Sequence, residues 1–92
     1  MPKTTRYRRC RRVTKRRVGA TLFLAHPDHG RLYRLNPTVA ALWNLLVRPT
    51  TITEAVGVFR SAFPDESAKQ IRESVLVMFT DLFDEGLIEG AV

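Results

Sequence analysis

The residues best suited to acid–base or metal chemistry are concentrated in one short segment. The segment His26–Gly30 holds two histidines and an aspartate, and Cys10 is the single cysteine of the chain. Proline and glycine in the same segment supply the backbone angles of a chain reversal, which is typical of an exposed hairpin turn. Cys10 lies among arginines in a stretch that cannot bury a face, where nucleophilic catalysis is poorly supported. We therefore expect no catalytic residue here.

The rest of the sequence also argues against an enzyme or a metalloprotein. One cysteine cannot form an internal disulfide, and with two histidines it cannot complete a four-ligand zinc site. There is no glycine-rich phosphate loop. A chain of 92 residues builds too small a core to hold a deep pocket as well. We expect a binding protein that has no metal site and no cofactor.

The overall composition is that of a folded, water-soluble domain. Hydrophobic residues make up 45% of the chain and charged residues 26%. No apolar run approaches the ~20 residues that cross a bilayer, and the first apolar cluster comes too late for a secretory signal. The expectation is a single cytoplasmic domain with no membrane partner.

Positive charge is concentrated in the first third of the chain. Residues 1–34 hold eleven Lys or Arg against one Asp, a formal charge of +10, whereas residues 35–92 hold four against eight carboxylates, or −4. Because Lys3–Arg12 has almost no apolar side chain to bury, we expect residues 1–12 to be a basic flexible arm before a domain spanning 13–92. Such an arm can hold nucleic acid or an acidic partner, or serve only as a solubilising tail.

Three strands are predicted after this arm. Val13–Val18 has β-branched ends and a basic middle, and Ala20–Ala25 is nearly all apolar. The turn at His26–Gly30 connects the second strand to a third, Arg31–Leu35. The three strands are expected to form a small antiparallel sheet.

Three helices are predicted next. Asn36-Pro37 is a helix start, and apolar residues then recur at helical spacing until Arg48-Pro49. Thr51 and Glu54 fit a capping box before a helix over about Thr53–Phe63. A third, amphipathic helix runs from about Ser67 to Glu85. The order β-β-β-α-α-α predicts an α+β fold, a three-stranded antiparallel sheet followed by a three-helix bundle.

Three segments carry a resemblance to a known family. They are the run Gly30–Asn36 (GRLYRLN), the pair Leu42-Trp43 in the first helix, and the closing run Leu82–Glu89 (LFDEGLIE). In this order and at these spacings the chain resembles the PqqD family, also called RiPP recognition elements, over about residues 13–90. The basic arm is outside the family pattern.

The resemblance implies both a fold and a function. Family members are winged helix-turn-helix domains that bind the leader segment of a ribosomally made precursor peptide. They present it to a modifying enzyme, such as a radical SAM enzyme, or to a leader protease acting with a cyclase. The chain is then a peptide chaperone of natural product biosynthesis. The sequence leaves open whether the product is a lasso peptide, pyrroloquinoline quinone or another class.

The resemblance also implies a binding mode. The leader is added as an extra strand on the exposed edge of the third strand, in a groove beside the last helix. Period-two alternation assigns Tyr33 and Leu35 to the core face of that strand, and Leu32 and Arg34 to the opposite face.

The candidate peptide-binding residues come from the third strand and from one flank of the last helix. They are Arg31, Leu32, Tyr33, Arg34, Leu35, Lys69, Arg72, Val75, Leu76 and Phe79. The ordinary alternative is that Val75 and Phe79 are core residues and that the four cations are solvated surface charges.

A DNA-binding winged helix-turn-helix regulator is the alternative function. The basic arm favours it, since such arms contact phosphates. The last helix argues against it, because residues 65–85 hold six carboxylates against Lys69 and Arg72, a formal charge of −4. A recognition helix of that charge is repelled by a duplex, so we expect no specific nucleic-acid partner.

Overall fold

Two three-stranded antiparallel sheets and three helices make up the fold in the computed structural model, which describes residues 2–91. The elements in chain order are β1 (Arg6–Arg9), β2 (Thr14–Val18), β3 (Thr21–Ala25), β4 (Leu32–Leu35), α1 (Pro37–Leu45), β5 (Thr50–Thr51), α2 (Ile52–Ala62), α3 (Ala68–Asp84) and β6 (Ile88–Ala91). The predicted α+β class and the predicted sheet and helices are confirmed. A second sheet, which the sequence did not reveal, is added to them.

The predicted sheet has the order β2-β3-β4, so β3 is central and the other two strands are edges. Gly19, with a φ of +61°, permits the tight turn between β2 and β3. In the β3–β4 register Tyr33 lies opposite Leu24, which is fully buried, and Leu35 lies opposite Leu22. These four residues therefore share the core face, as the alternation predicted.

The helices begin at the predicted capping residues. The side-chain oxygen of Asn36 accepts a hydrogen bond from the backbone N–H of Val39 at 2.8 Å, and that of Ser67 accepts one from Gln70 at 3.1 Å. Thr51 and Glu54 form the complete capping box at the start of α2. The pKa of Glu54 lies below its ordinary value because its carboxylate accepts the Thr51 backbone N–H and contacts the Arg6 guanidinium. Local side-chain chemistry thus defines each helix start.

One hydrophobic core joins both sheets to the helices. Its fully buried side chains include Leu24, Leu42, Leu46, Val75, Phe79, Leu82 and Leu87. None of the helices described within residues 2–91 is long and apolar enough to cross a membrane.

The prediction of a flexible arm over residues 1–12 is wrong for its central part. Arg6–Arg9 forms β1, which is the middle strand of the sheet β5-β1-β6. Tyr7 is only 4% exposed, and its ring lies 5.6 Å from that of Phe79. The guanidinium of Arg9 lies 4.6 Å from the Trp43 ring centre and donates to the Trp43 carbonyl oxygen. This basic segment is therefore packed into the domain.

Replacing Tyr7 by alanine should lower the free energy of unfolding by about 3 kcal/mol, because it removes a buried ring from the contact between β1 and α3. Chemical denaturation measures the change. Tyr7→Phe, which keeps the ring, and Arg11→Ala, at an exposed position, should both have effects below about 1 kcal/mol. Equal stability of Tyr7→Ala and the unsubstituted protein would show that β1 does not pack on the core.

Candidate functional site

The outer edge of β4 is open. Among residues 2–91, β4 pairs with β3 alone, and the N-terminal strand β1 pairs with β5 and β6 instead. A strand that is paired on one side leaves the N–H and C=O groups of its other side available. The edge to which the resemblance assigns the leader is therefore unoccupied by the described part of the chain.

The C-terminal half of α3 lies beside this edge. Arg31, just before β4, donates to the Glu85 carboxylate at 3.0 Å, next to the last turn of α3. Thr38, in the first turn of the helix that follows β4, lines a cavity with Ser74 and Met78. The two elements therefore run in opposite directions, and we call the space between them the β4–α3 groove.

The helix wall of this groove is a stripe of four residues, Ser74, Met78, Asp81 and Glu85. Their spacing of three and four places them on one face of α3. Ser74 and Met78 border a cavity of about 210 Å³, which Phe59 and the half-exposed Phe63 make largely apolar. Glu85 borders a second cavity of about 150 Å³, together with Leu32 and Tyr33. The second cavity lies beside β4, whereas the first lies between α1, α2 and α3 and adjoins the groove only through Thr38, just after β4.

Electrostatically, the helix wall is acidic near the start of β4. The pKa of the Tyr33 phenol is raised, first by burial and then by the negative charges of Asp81 and Glu85. Glu85 is neutralised by Arg31, whereas Asp81 is exposed. A polar or basic side chain is thus the better neighbour for Asp81.

The strand residues of the predicted site have the burial that the alternation predicts. Leu35 is buried, Tyr33 is partly buried against the core, and Arg31 and Arg34 are exposed. Leu32 is 64% exposed, a large apolar side chain at the open edge. Exposed apolar side chains beside unpaired backbone are typical of a docking edge.

The helix residues of the predicted site lie in two different places on α3. Val75 and Phe79 are buried in the core, although Val75 also borders the apolar cavity of the groove. Arg72 and Leu76 lie on the opposite flank of α3, where they border a cavity of about 250 Å³ that also includes Lys3. Lys69 precedes Arg72 by three residues on that flank and is exposed. The structure does not bring Lys69, Arg72 or Leu76 to β4.

The groove residues that sequence analysis missed are Thr38, Phe63, Ser74, Met78, Asp81 and Glu85. The helical periodicity identified the buried stripe of α3, but such a stripe has two flanks. Only the packing of α3 against β4 and β1 distinguishes them. Phe63 was the one residue with a local signal, as an aromatic side chain at a helix end.

The histidine cluster is arranged as a structural contact. The Cys10 sulfur lies 3.8 Å from His26 Nε2, and His26 Nδ1 accepts the backbone N–H of Asp28 at 3.1 Å. The His26 ring is thus held by its own turn through Nδ1, and its Nε2 side lies against the Cys10 sulfur. Within residues 2–91, no three His, Cys, Asp or Glu side chains are placed to hold a metal ion.

Comparisons with known proteins give one family and one fold. Residues 21–88 match the family described as Coenzyme PQQ synthesis protein D (PqqD). No curated protein sequence matches. A solved structure described as TbiB1 in complex with the TbiA(beta) leader peptide is 16% identical, with a TM-score of 0.78 over 92% of this chain and 98% of that chain.

The placement of Asp81 beside Tyr33 can be tested by titration. Asp81→Asn should lower the pKa of the Tyr33 phenol from its raised value, because a negative charge that opposes the phenolate is removed. The phenolate absorbance near 295 nm, taken as the difference from a Tyr33→Phe background, reports this residue alone. Asp84→Asn removes the same charge outside the groove stripe and should leave the pKa unchanged. An equal effect of both variants would contradict the geometry.

Proposed function

Since the chain belongs to the PqqD family, we propose that it is a non-catalytic binding domain for the leader segment of a ribosomally made precursor peptide. It holds the leader in the β4–α3 groove and presents the peptide to a modifying enzyme or a protease. The single observation that carries the proposal is the open edge of β4 beside this groove. The fold it shares with TbiB1, which was solved with a leader peptide, supports the same conclusion.

The leader adds a fourth strand next to β4. Outward backbone groups of β4 then pair with the backbone of the peptide, and each bond contributes about 1 kcal/mol. Because backbone pairing is independent of side chains, it supplies affinity for many peptides. It does not by itself select one leader.

The side chains of the groove select the leader. In an added strand, every second side chain faces the domain. A leader side chain that faces α3 lies near the cavity bordered by Met78, where an apolar residue fits, or near the exposed Asp81, where a basic or polar residue fits. A leader side chain on the other face packs against the exposed Leu32. We therefore expect leaders with one apolar anchor on each face and no acidic residue facing Asp81.

The peptide that is bound in this way remains accessible to an enzyme. A leader on the sheet edge leaves the rest of the precursor outside the domain. The receiving enzyme is a radical SAM enzyme, or a leader protease that acts with a cyclase. The genes that neighbour this one distinguish the two cases.

Leu32→Asp should weaken leader binding at least about tenfold, because a charged side chain replaces an apolar anchor at the open edge. Fluorescence anisotropy with a fluorescein-labelled leader peptide measures the dissociation constant. Val47→Asp is the matched control, since Val47 is 68% exposed and lies outside both β4 and α3. Both side chains are exposed, so both variants should fold.

The control should change the dissociation constant less than about threefold. Equal weakening by the two substitutions would contradict the site. The proposed function would be contradicted if the wild-type protein did not bind the leader but bound one duplex DNA sequence in preference to others. That result would favour the DNA-binding regulator.

A further inference from the structure

The second edge of the same sheet is strongly basic. β2 has the sequence TKRRV, and all five of its residues are exposed. Within the described chain it pairs with β3 alone. In the register with β3, Lys15 lies opposite Leu24 and Arg17 opposite Leu22. These two cations therefore point to the face of the sheet that carries α1, whereas Arg16 points away.

A cleft of about 580 Å³ lies between this edge and α1. Leu22, Leu35 and Ala40 contribute apolar surface to it, and Lys15 and Arg17 contribute positive charge. Arg34 also borders the cleft, but it lies opposite Phe23, as Arg16 does, so its side chain points to the other face of the sheet. The cleft shares no lining residue with either cavity of the β4–α3 groove. The cleft and the groove are therefore separate sites.

The charge of this cleft is not compensated by the domain. None of its lining residues in the described chain is Asp or Glu. The ion pairs that arginines form within residues 2–91 use Arg6, Arg8, Arg12 and Arg31. Lys15 and Arg17 thus have no carboxylate partner there. Two neighbouring cations beside apolar surface favour a ligand that has carboxylates and apolar side chains.

We propose that this cleft is a second binding site, which takes an acidic segment of the partner enzyme's polypeptide. The role of the partner rests on the proposed function, whereas the site itself does not. A polypeptide suits the cleft better than a nucleic acid, because no lining residue is aromatic and bases would have nothing to stack on. Because β4 borders both sites, the leader and the enzyme would occupy opposite sides of one strand.

The proposal is tested with a short fluorescein-labelled peptide of glutamate, leucine and glycine, by anisotropy at about 0.15 M salt, where exposed long-range charge is screened. The test variant is Lys15→Glu with Arg17→Glu. The control is Arg48→Glu with Arg60→Glu, which changes the formal net charge by the same four units at exposed positions outside the cleft.

The charge reversal in the cleft, Lys15→Glu with Arg17→Glu, should weaken peptide binding at least about tenfold, and the control variant should weaken it less than about threefold. Lys15→Gln with Arg17→Gln should give an intermediate loss, and circular dichroism verifies the fold of every variant. An equal loss of peptide affinity in the cleft variant and the control variant would overturn the proposal, because binding would then depend only on the net charge of the protein. Tighter binding of single-stranded DNA at the same residues would overturn it in favour of nucleic acid.

Two further readouts distinguish this proposal from others. Sedimentation shows whether the wild-type protein self-associates. If it does, and if Lys15→Glu with Arg17→Glu abolishes the self-association, the ligand of the cleft is a second copy of this chain and the proposal is overturned. Leu32→Asp should leave the affinity for the acidic peptide unchanged. If the acidic peptide binds and the leader peptide does not, the proposed function is wrong, whereas the proposal of a binding site in the cleft is retained.

Discussion

The proposed binding of a leader depends on one β-strand that is hydrogen-bonded on one side only. β4 has β3 on one side, and its other side faces the groove beside α3. Unpaired backbone groups at a sheet edge are satisfied by water or by another strand. The rest of the domain keeps this edge open, because β1 pairs with β5 and β6 in a separate sheet and so is not available to cover it.

Much of the fold could be predicted because its signals are local. Asn36, Thr51 and Ser67 begin the three helices through side chains that bond to backbone groups three residues on. The β3–β4 hairpin follows from a short turn between two runs of strand-forming residues. The second sheet could not be predicted in this way. The partners of β1 lie more than forty residues away, so its arginine-rich sequence resembled a solvated tail.

The burial of the candidate site residues was predictable to a similar extent. Alternation along β4 correctly placed Tyr33 and Leu35 inward and left Leu32 exposed, because a strand has only two faces. An amphipathic helix has a buried stripe with two flanks, and the sequence does not show which flank meets the sheet edge. The basic flank with Arg72 was expected there, but the flank with Asp81 lies there instead. The charge beside the sheet edge is therefore negative rather than positive.

Backbone pairing between β4 and the leader is tested most directly by amide hydrogen exchange of β4, measured by NMR with and without the leader peptide. If the leader pairs with β4, the outward amides of Leu32–Leu35 exchange rapidly in the free protein and become strongly protected when the leader binds. Slow exchange of these amides before the leader is added, or protection confined to residues outside β4 and α3, would contradict this pairing.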